Sequence, residues 1–571
     1  MKKLVALFLV FIFASVNTVY AFSFPEPDWG SLLRERETIV KTEEFELYAE
    51  ANPSAAPYYG ARLEPKSGTY IGMIAETSDD FKPLGSYLTY IQDMWQTDLY
   101  YPANNMIQND NVVTMVGWTI SNLDSVDYNT VRNVLDTLNG YNKPMFIRFA
   151  NEMNVSTLGD DPDKYKQVFR TVADMVHEYP NFAVVWAPND IGALDRPFEY
   201  FYPGDEYVDW IGVSCYSIKY FTGNQNTSYN DSVYFMTGDY SWATNRIKPI
   251  MDFMEKNNIN KPVMISEEGV ATANKYGDNM ESWASPRLRN MLYYLAMKYP
   301  QIKMINYFNT HRADETETFD ISGYSYAEEI FKQAEDCGMY IRGYGEEPEF
   351  VFKPANDAGN LYPDSNGYVN LYTYAYFANQ PNFTVNYTID GVWYHSSNTI
   401  PYTCPVNISN LSDGKHTVTI SAFDRSKEYV FYKSGNAIRF GSEPDTSDVG
   451  YSPESQSQIS VTLNGEKLTF DQPPVIQNDR TLVPLRVIFE ALGAQVNWDD
   501  ATQTVTADRD SITIVLQIGN TEMKVGDKSL TLDVPAQLIN DRTLVPVRAV
   551  SEAFGCSVDW DDATQTVLIT D

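Results

Sequence analysis

Residues near 60 to 340 alternate short apolar runs with helical patterns, and no other feature constrains the fold as tightly. The runs Thr69–Ile74, Val112–Ile120, Pro144–Ala150, Phe182–Ala187, Val208–Ser214, Pro262–Ser266 and Ile302–Phe308 read as strands. An eighth strand is placed loosely between Tyr87 and Tyr101. Helical stretches lie between them. Tyr165 to Glu178, for example, collects Val168, Phe169, Val172, Met175 and Val176 on one face. Strand–helix alternation of this length predicts a parallel sheet closed into a (β/α)8 TIM barrel over residues 22–345.

The rest of the chain changes character twice. Residues 346–440 alternate apolar and polar positions around Asp390-Gly391 and Asp413-Gly414, the pattern of a β-sandwich. Residues 441–458 are nearly all polar and predict a flexible linker. In residues 459–571 the segment beginning Asn478-Asp479-Arg480-Thr481-Leu482-Val483-Pro484 returns at Asn540, with Trp498 echoed by Trp560. Each copy reads strand, Pro-started helix, Gly stop, then two further strands, so two small α+β repeats are expected. The expected protein is multidomain.

Residues 1–21 read as an export signal: Lys2 and Lys3, an apolar run Leu4–Ala14, and Val19-Tyr20-Ala21 as a cleavage site. The run is short for a membrane span. A secreted or cell-surface, envelope-associated protein with no membrane span after signal removal is expected. Lys and Arg total 42 against 76 Asp and Glu, a formal charge of −34. That balance argues against nucleic acid and anionic membranes as partners. Four His and four Cys in the whole chain argue against a metal centre, and no cofactor is expected. With 43% hydrophobic residues, the chain has ample material for packed cores.

Two strands end in carboxylates. Met145-Phe146-Ile147-Arg148-Phe149-Ala150 runs into Asn151-Glu152-Met153-Asn154, and Pro262-Val263-Met264-Ile265-Ser266 runs into Glu267-Glu268-Gly269. Acids at the C-terminal ends of barrel strands read as catalytic, because that face carries the active site. By strand count, Glu152 follows the fourth strand and Glu267 the seventh. Arg148 shares the strand parity of Glu152, so both should point inward.

These segments resemble the clan A glycoside hydrolases, and within them family 26. "RFANEMN" at Arg148, "VVWAPND" at Val184, "YPGDEYVDWIGVSCY" at Tyr202 and "INYFNT" at Ile305 carry the resemblance, over about residues 55 to 335. It implies a retaining endo-β-glycosidase acting on a polysaccharide of the β-mannan or mixed-linkage β-glucan type. It implies Glu152 as acid/base and Glu267 as nucleophile. Substrate-binding roles are implied for Arg148 and Asn151, and for Tyr216 beside the nucleophile. Trp118, Trp186 and Phe308 are candidate sugar platforms, though such aromatics are as readily core. Asn151 stands where family 26 usually has His, and the loop Val155–Asp161 lacks the family's tryptophans. A non-catalytic envelope protein binding glycan in the barrel cleft is the alternative. Residues 346–440 resemble bacterial immunoglobulin-like modules. The repeats resemble the N-terminal domain of copper amine oxidases, without a single His in either copy. They are expected to be structural or to attach to a cell-envelope polymer.

Overall fold

The computed structural model describes residues 22–571 except 26–27, 75–84, 97, 100–106, 108–110, 190–195, 218–241, 275–279, 311–316, 379, 381, 446–449, 453–459, 469, 471–473, 478–479, 500–501, 540–541 and 562–565. The expected export signal, much of the expected linker and the Asp partners in the repeated Asp-Arg pairs fall outside the described residues.

Eight parallel strands close into a barrel: β1 (Thr69–Ile74), β2 (Ser86–Gln92), β3 (Val113–Thr119), β4 (Met145–Phe149), β5 (Phe182–Trp186), β6 (Trp210–Ser217), β7 (Val263–Val270) and β8 (Ile302–Tyr307). Closure is made by β8 pairing with β1, with Met304 opposite Tyr70 and Tyr307 opposite Met73. The strands are buried along nearly their whole length, which is why they read as unbroken apolar runs. Between β4 and β5 runs the helix α1 (Pro162–His177), capped by Asp161, whose carboxylate accepts from the Lys164 N–H at 3.0 Å. Pro162 opens the helix, where its missing N–H costs nothing. Its Val168, Phe169, Val172 and Val176 face the barrel, each buried side chain stabilising by roughly 1.5–3 kcal/mol.

The sandwich follows, and one of its strands comes from the other end of the chain. Glu44–Ala51 pairs antiparallel with both Val351–Pro354 and Tyr368–Tyr376, in a four-stranded sheet completed by Tyr402–Asn407. The second sheet has six strands, among them Val385–Ile389, Val392–Ser397, Gly414–Ala422 and Arg425–Ser434. The Asp390-Gly391 turn has positive φ at both residues (52° and 77°), the geometry a tight hairpin needs. Barrel and sandwich share one continuous apolar core. Tyr294 is a pin between them: its hydroxyl donates to Thr373 O (2.9 Å) and accepts from Ala375 N (3.1 Å).

The expected linker is docked at Asp445, which exchanges two hydrogen bonds with Asn360, and at Tyr451. Tyr451 is 5% exposed within the shared core, and its backbone pairs with Asn360 and Tyr362. A single aromatic in a polar stretch can bury enough apolar area to pin it.

The two repeats form one body. Arg480–Pro484 of the first pairs with Arg542–Pro546 of the second, Val483 opposite Val545. Ser460–Leu463, which precedes the first copy, pairs parallel with Thr566–Thr570, which ends the second. Phe489 and Phe554 meet edge-on in the common core at 5.1 Å. Among the described residues no helix is long and apolar enough to cross a membrane.

Candidate active site

Glu152 and Glu267 converge at the C-terminal mouth of the barrel, one following β4 and one on β7. The chain leaves β4 through two left-handed residues, Ala150 (φ 49°) and Glu152 (φ 54°). Left-handed conformations are costly for residues with side chains, and such strain concentrates at functional sites. The Glu152 N–H donates to Ala187 O at 2.8 Å, fastening the bend to the end of β5. Asn154 and Asn189 exchange two hydrogen bonds of 2.9 Å, and Asn189 Nδ2 donates to Glu152 Oε1 at 3.2 Å.

On β7, a bulge between Ile265 and Glu267 resets the pairing with β6, so that Ser214 lies opposite Glu267. Arg148 Nη1 bonds Glu267 Oε1, and Arg148 Nη2 bonds Ser214 Oγ at 2.6 Å. Tyr216 donates to Glu267 Oε2 at 2.8 Å. The Tyr90 hydroxyl on β2 also favours the ionised form of Glu267. Its ring is accommodated by Gly117: Tyr90, Gly117 and Arg148 lie in register on β2, β3 and β4, and a Cβ at Gly117 would stand 2.8 Å from two carbons of the Tyr90 ring.

The two carboxyls are driven apart in acidity. Burial and the nearby Glu267 charge push the Glu152 carboxyl above its ordinary value, against the opposing pull of Arg148, Ser214 and Asn189. Burial pushes Glu267 the same way, but the Arg148 guanidinium and the Tyr216 and Tyr90 hydroxyls outweigh it and hold Glu267 below the usual carboxylate range. Arg148 is completely buried and Glu267 nearly so. Withdrawing both ions from water costs several kcal/mol per ion before their attraction offsets it. The result is two carboxyls of opposed acidity at one barrel mouth, one pushed towards the acid form and one towards the carboxylate, the division of labour that acid–base and nucleophilic chemistry needs.

Of the expected site residues, the structure brings together Glu152, Glu267, Arg148 and Tyr216. Phe308 joins them, edge-on to Tyr216 at 5.9 Å. Asn151 follows β4 with its Oδ1 buried and without a hydrogen-bond partner, an acceptor held ready for a donor. Trp118 and Trp186 do not belong to the site, and the expectation that they form sugar platforms is corrected. Trp118 is turned out of the barrel against Phe149, its indole N–H bonded to Asp93 O at 2.9 Å. Trp186 packs on Tyr202 and Phe253 in the helix layer. On β3 and β5 it is their neighbours Gly117, Val185 and Ala187 that face inward. Glu268 is fully buried beside Tyr307, away from the mouth. His311 lies outside the described residues. Tyr90, Asn189 and Ser214 are site residues the sequence reading missed. The "APND" turn after β5 and the glycine in β3 were the available signals.

Residues 98–285 match the family model of glycosyl hydrolase family 26, and residues 462–569 that of the copper amine oxidase N-terminal domain. The chain is similar to a protease inhibitor of Brevibacillus choshinensis, at 29% identity over 22% of this chain and 38% of that protein. It is similar to β-1,3-xylanase TXYA of a Vibrio sp, at 28% identity over 20% of this chain and 26% of that enzyme. A β-1,3-xylanase of an Alcaligenes sp matches at 29% identity over 20% of this chain and 25% of that enzyme. The chain thus spans between a quarter and two fifths of the length of these relatives. The closed barrel that holds Glu152 and Glu267 carries the match to glycosyl hydrolase family 26, over residues 98–285, and the repeat pair behind it the match to the copper amine oxidase N-terminal domain, over residues 462–569.

Proposed function

We propose that the protein is a retaining endo-β-glycosidase that cleaves a β-linked polysaccharide by double displacement. The observation that carries this reading is the convergence of Glu152 and Glu267 at one barrel mouth with their acidities pushed in opposite directions. Protonated Glu152 gives its proton to the glycosidic oxygen as the bond to the anomeric carbon breaks. Ionised Glu267 attacks that carbon and forms a covalent glycosyl–enzyme. Glu152, now a carboxylate, takes a proton from water, which displaces Glu267 and restores the original anomer. Arg148, Tyr216 and Tyr90 keep Glu267 ionised and aimed, and Asn151 is the acceptor for a sugar hydroxyl. β-Mannan and mixed-linkage β-glucan are candidate substrates from the sequence, and the names of two relatives add β-1,3-xylan.

Reducing-end release from a panel of these polysaccharides tests the reaction, and proton NMR of fresh product tests its stereochemistry. The product should appear first with the anomeric configuration of the substrate. Binding without release across the panel would assign the barrel to glycan capture instead. The proposal extends to location: residues 1–21 direct export, and the repeat pair holds the enzyme at an envelope polymer. Cell fractionation of the full chain and of a form lacking the repeats tests this, since loss of the repeats should move the enzyme into the medium.

A further inference from the structure

The sandwich presents a flat face to solvent whose chemistry the barrel does not use. On the six-stranded sheet, Trp393, Thr388 and Thr419 form one row across three neighbouring strands, since Thr388 pairs with both others. Asn386 likewise lies opposite Ser396 and Ser421 in the next row. Their neighbours along the strand, Val385, Tyr387 and Ile389, are buried, so the two rows share the outer face. Trp393 is 67% exposed. It is nonetheless fixed: its Nε1 donates to Ser396 Oγ (3.3 Å), which donates to Asn386 Oδ1 (2.7 Å). One edge of the indole is thereby tied to a rigid sheet while much of the ring stays open.

The six residues carry hydroxyls, an amide and an aromatic ring, and no charge, in a chain of formal charge −34. A neutral, hydroxyl-rich ligand with apolar ring faces matches that surface. The first row continues on the next strand to the exposed Glu428, which would repel a polyanion, and the second to Ser426. The strip is also held firmly relative to the active site, because sandwich and barrel share one core.

We propose that this face is a second glycan-binding site, at which Trp393 stacks on a pyranose ring of a neutral polysaccharide and the Thr, Ser and Asn rows bond its hydroxyls. The choice of ligand rests on the hydrolytic reading of the barrel: the polymer held on the sheet is the one the barrel cuts.

Native gel electrophoresis of the full chain through each polysaccharide of the panel tests the site, with Trp393→Ala and Trp393→Tyr as variants. At an exposed position neither variant removes core packing. Wild type should be retarded by the polymer it hydrolyses, Trp393→Ala should bind about tenfold more weakly or worse, and Trp393→Tyr should retain much of the binding. Turnover of a short soluble oligosaccharide should be unchanged in both variants. Equal retardation of wild type and Trp393→Ala on every polysaccharide overturns the site. Trp393-dependent retardation without reducing-end release anywhere leaves the site standing and overturns the hydrolytic reading. A Trp393-dependent dimer in sedimentation, with no retardation, gives the face to a second copy of this chain and overturns the site.

Discussion

The barrel mouth and the repeat pair both hold arginine–carboxylate pairs, and they use them in opposite ways. In the barrel, Arg148 and Glu267 have side-chain exposures of 0% and 9%. In the repeats, Arg480 and Asp533 meet at 2.6 Å with exposures of 46% and 65%. Water screens the second pair, which should be worth about 1 kcal/mol or less. The first pair is stripped of water, so its charges reach Glu152 and adjust the acidity that burial gives that carboxyl. The same residue types become chemistry only where burial makes their fields strong.

The sharpest break in this comparison is Glu267→Ala. Without the nucleophile, kcat should fall by about four orders of magnitude or more. Azide should restore turnover and yield a glycosyl azide of inverted configuration. Azide rescue of Glu268→Gln instead, with Glu267→Ala active, would move the nucleophile. Glu152→Ala should come next, costing about 10²–10⁴-fold on natural substrates. The loss should shrink on aryl glycosides whose leaving group needs no proton, which steady-state kinetics on the two substrate types will show.

Tyr90→Phe sharpens the electrostatic half of the comparison. Removing a hydroxyl that favours the ionised Glu267 carboxylate raises its pKa. Activity needs Glu267 ionised, so the acid limb of the kcat/KM profile should move to higher pH. The alkaline limb, governed by the raised pKa of Glu152, should move less. A decrease of about tenfold in kcat with KM little changed is expected, whereas a purely structural role would leave the acid limb in place. The smallest effects belong to the repeats. Arg480→Ala, and removal of all residues after Ser452, should each leave kcat on a soluble substrate within about a factor of three, since neither touches a transition-state contact. Cutting at Glu443 instead removes Tyr451 from the core and should lower the melting temperature measurably.

The barrel was legible because seven of its eight strands contain a buried apolar run, and the acids because they interrupt such runs at strand ends. The same uniformity hid which way each strand faces. In a run buried on both sides, apolar alternation gives no sign of inside or outside, so Trp118 and Trp186 were placed in the cleft. Gly117 held the answer, since an inward glycine makes its neighbour Trp118 outward. Tyr90 was missed because β2 is the strand the pattern left loosely placed. The segment Glu44–Ala51 was included with the barrel in residues 22–345, because its partners lie beyond the whole barrel and local pattern carries no information about so distant a pairing. Tyr451 was lost in a stretch whose composition is otherwise that of a linker.

That distant pairing sets an order of events for folding. Glu44–Ala51 is synthesised before the barrel, and both strands that flank it in the sheet are synthesised after it. Until they arrive, both edges of this segment offer unpaired backbone groups, and an unpaired edge invites association with other chains. Pairings so far apart in sequence are also the slow ones to form. Glu44, Glu46 and Glu50 give the waiting segment three negative charges. Two copies of it repel each other, so the chain has a built-in guard against aggregation during the interval in which its first strand has no partner.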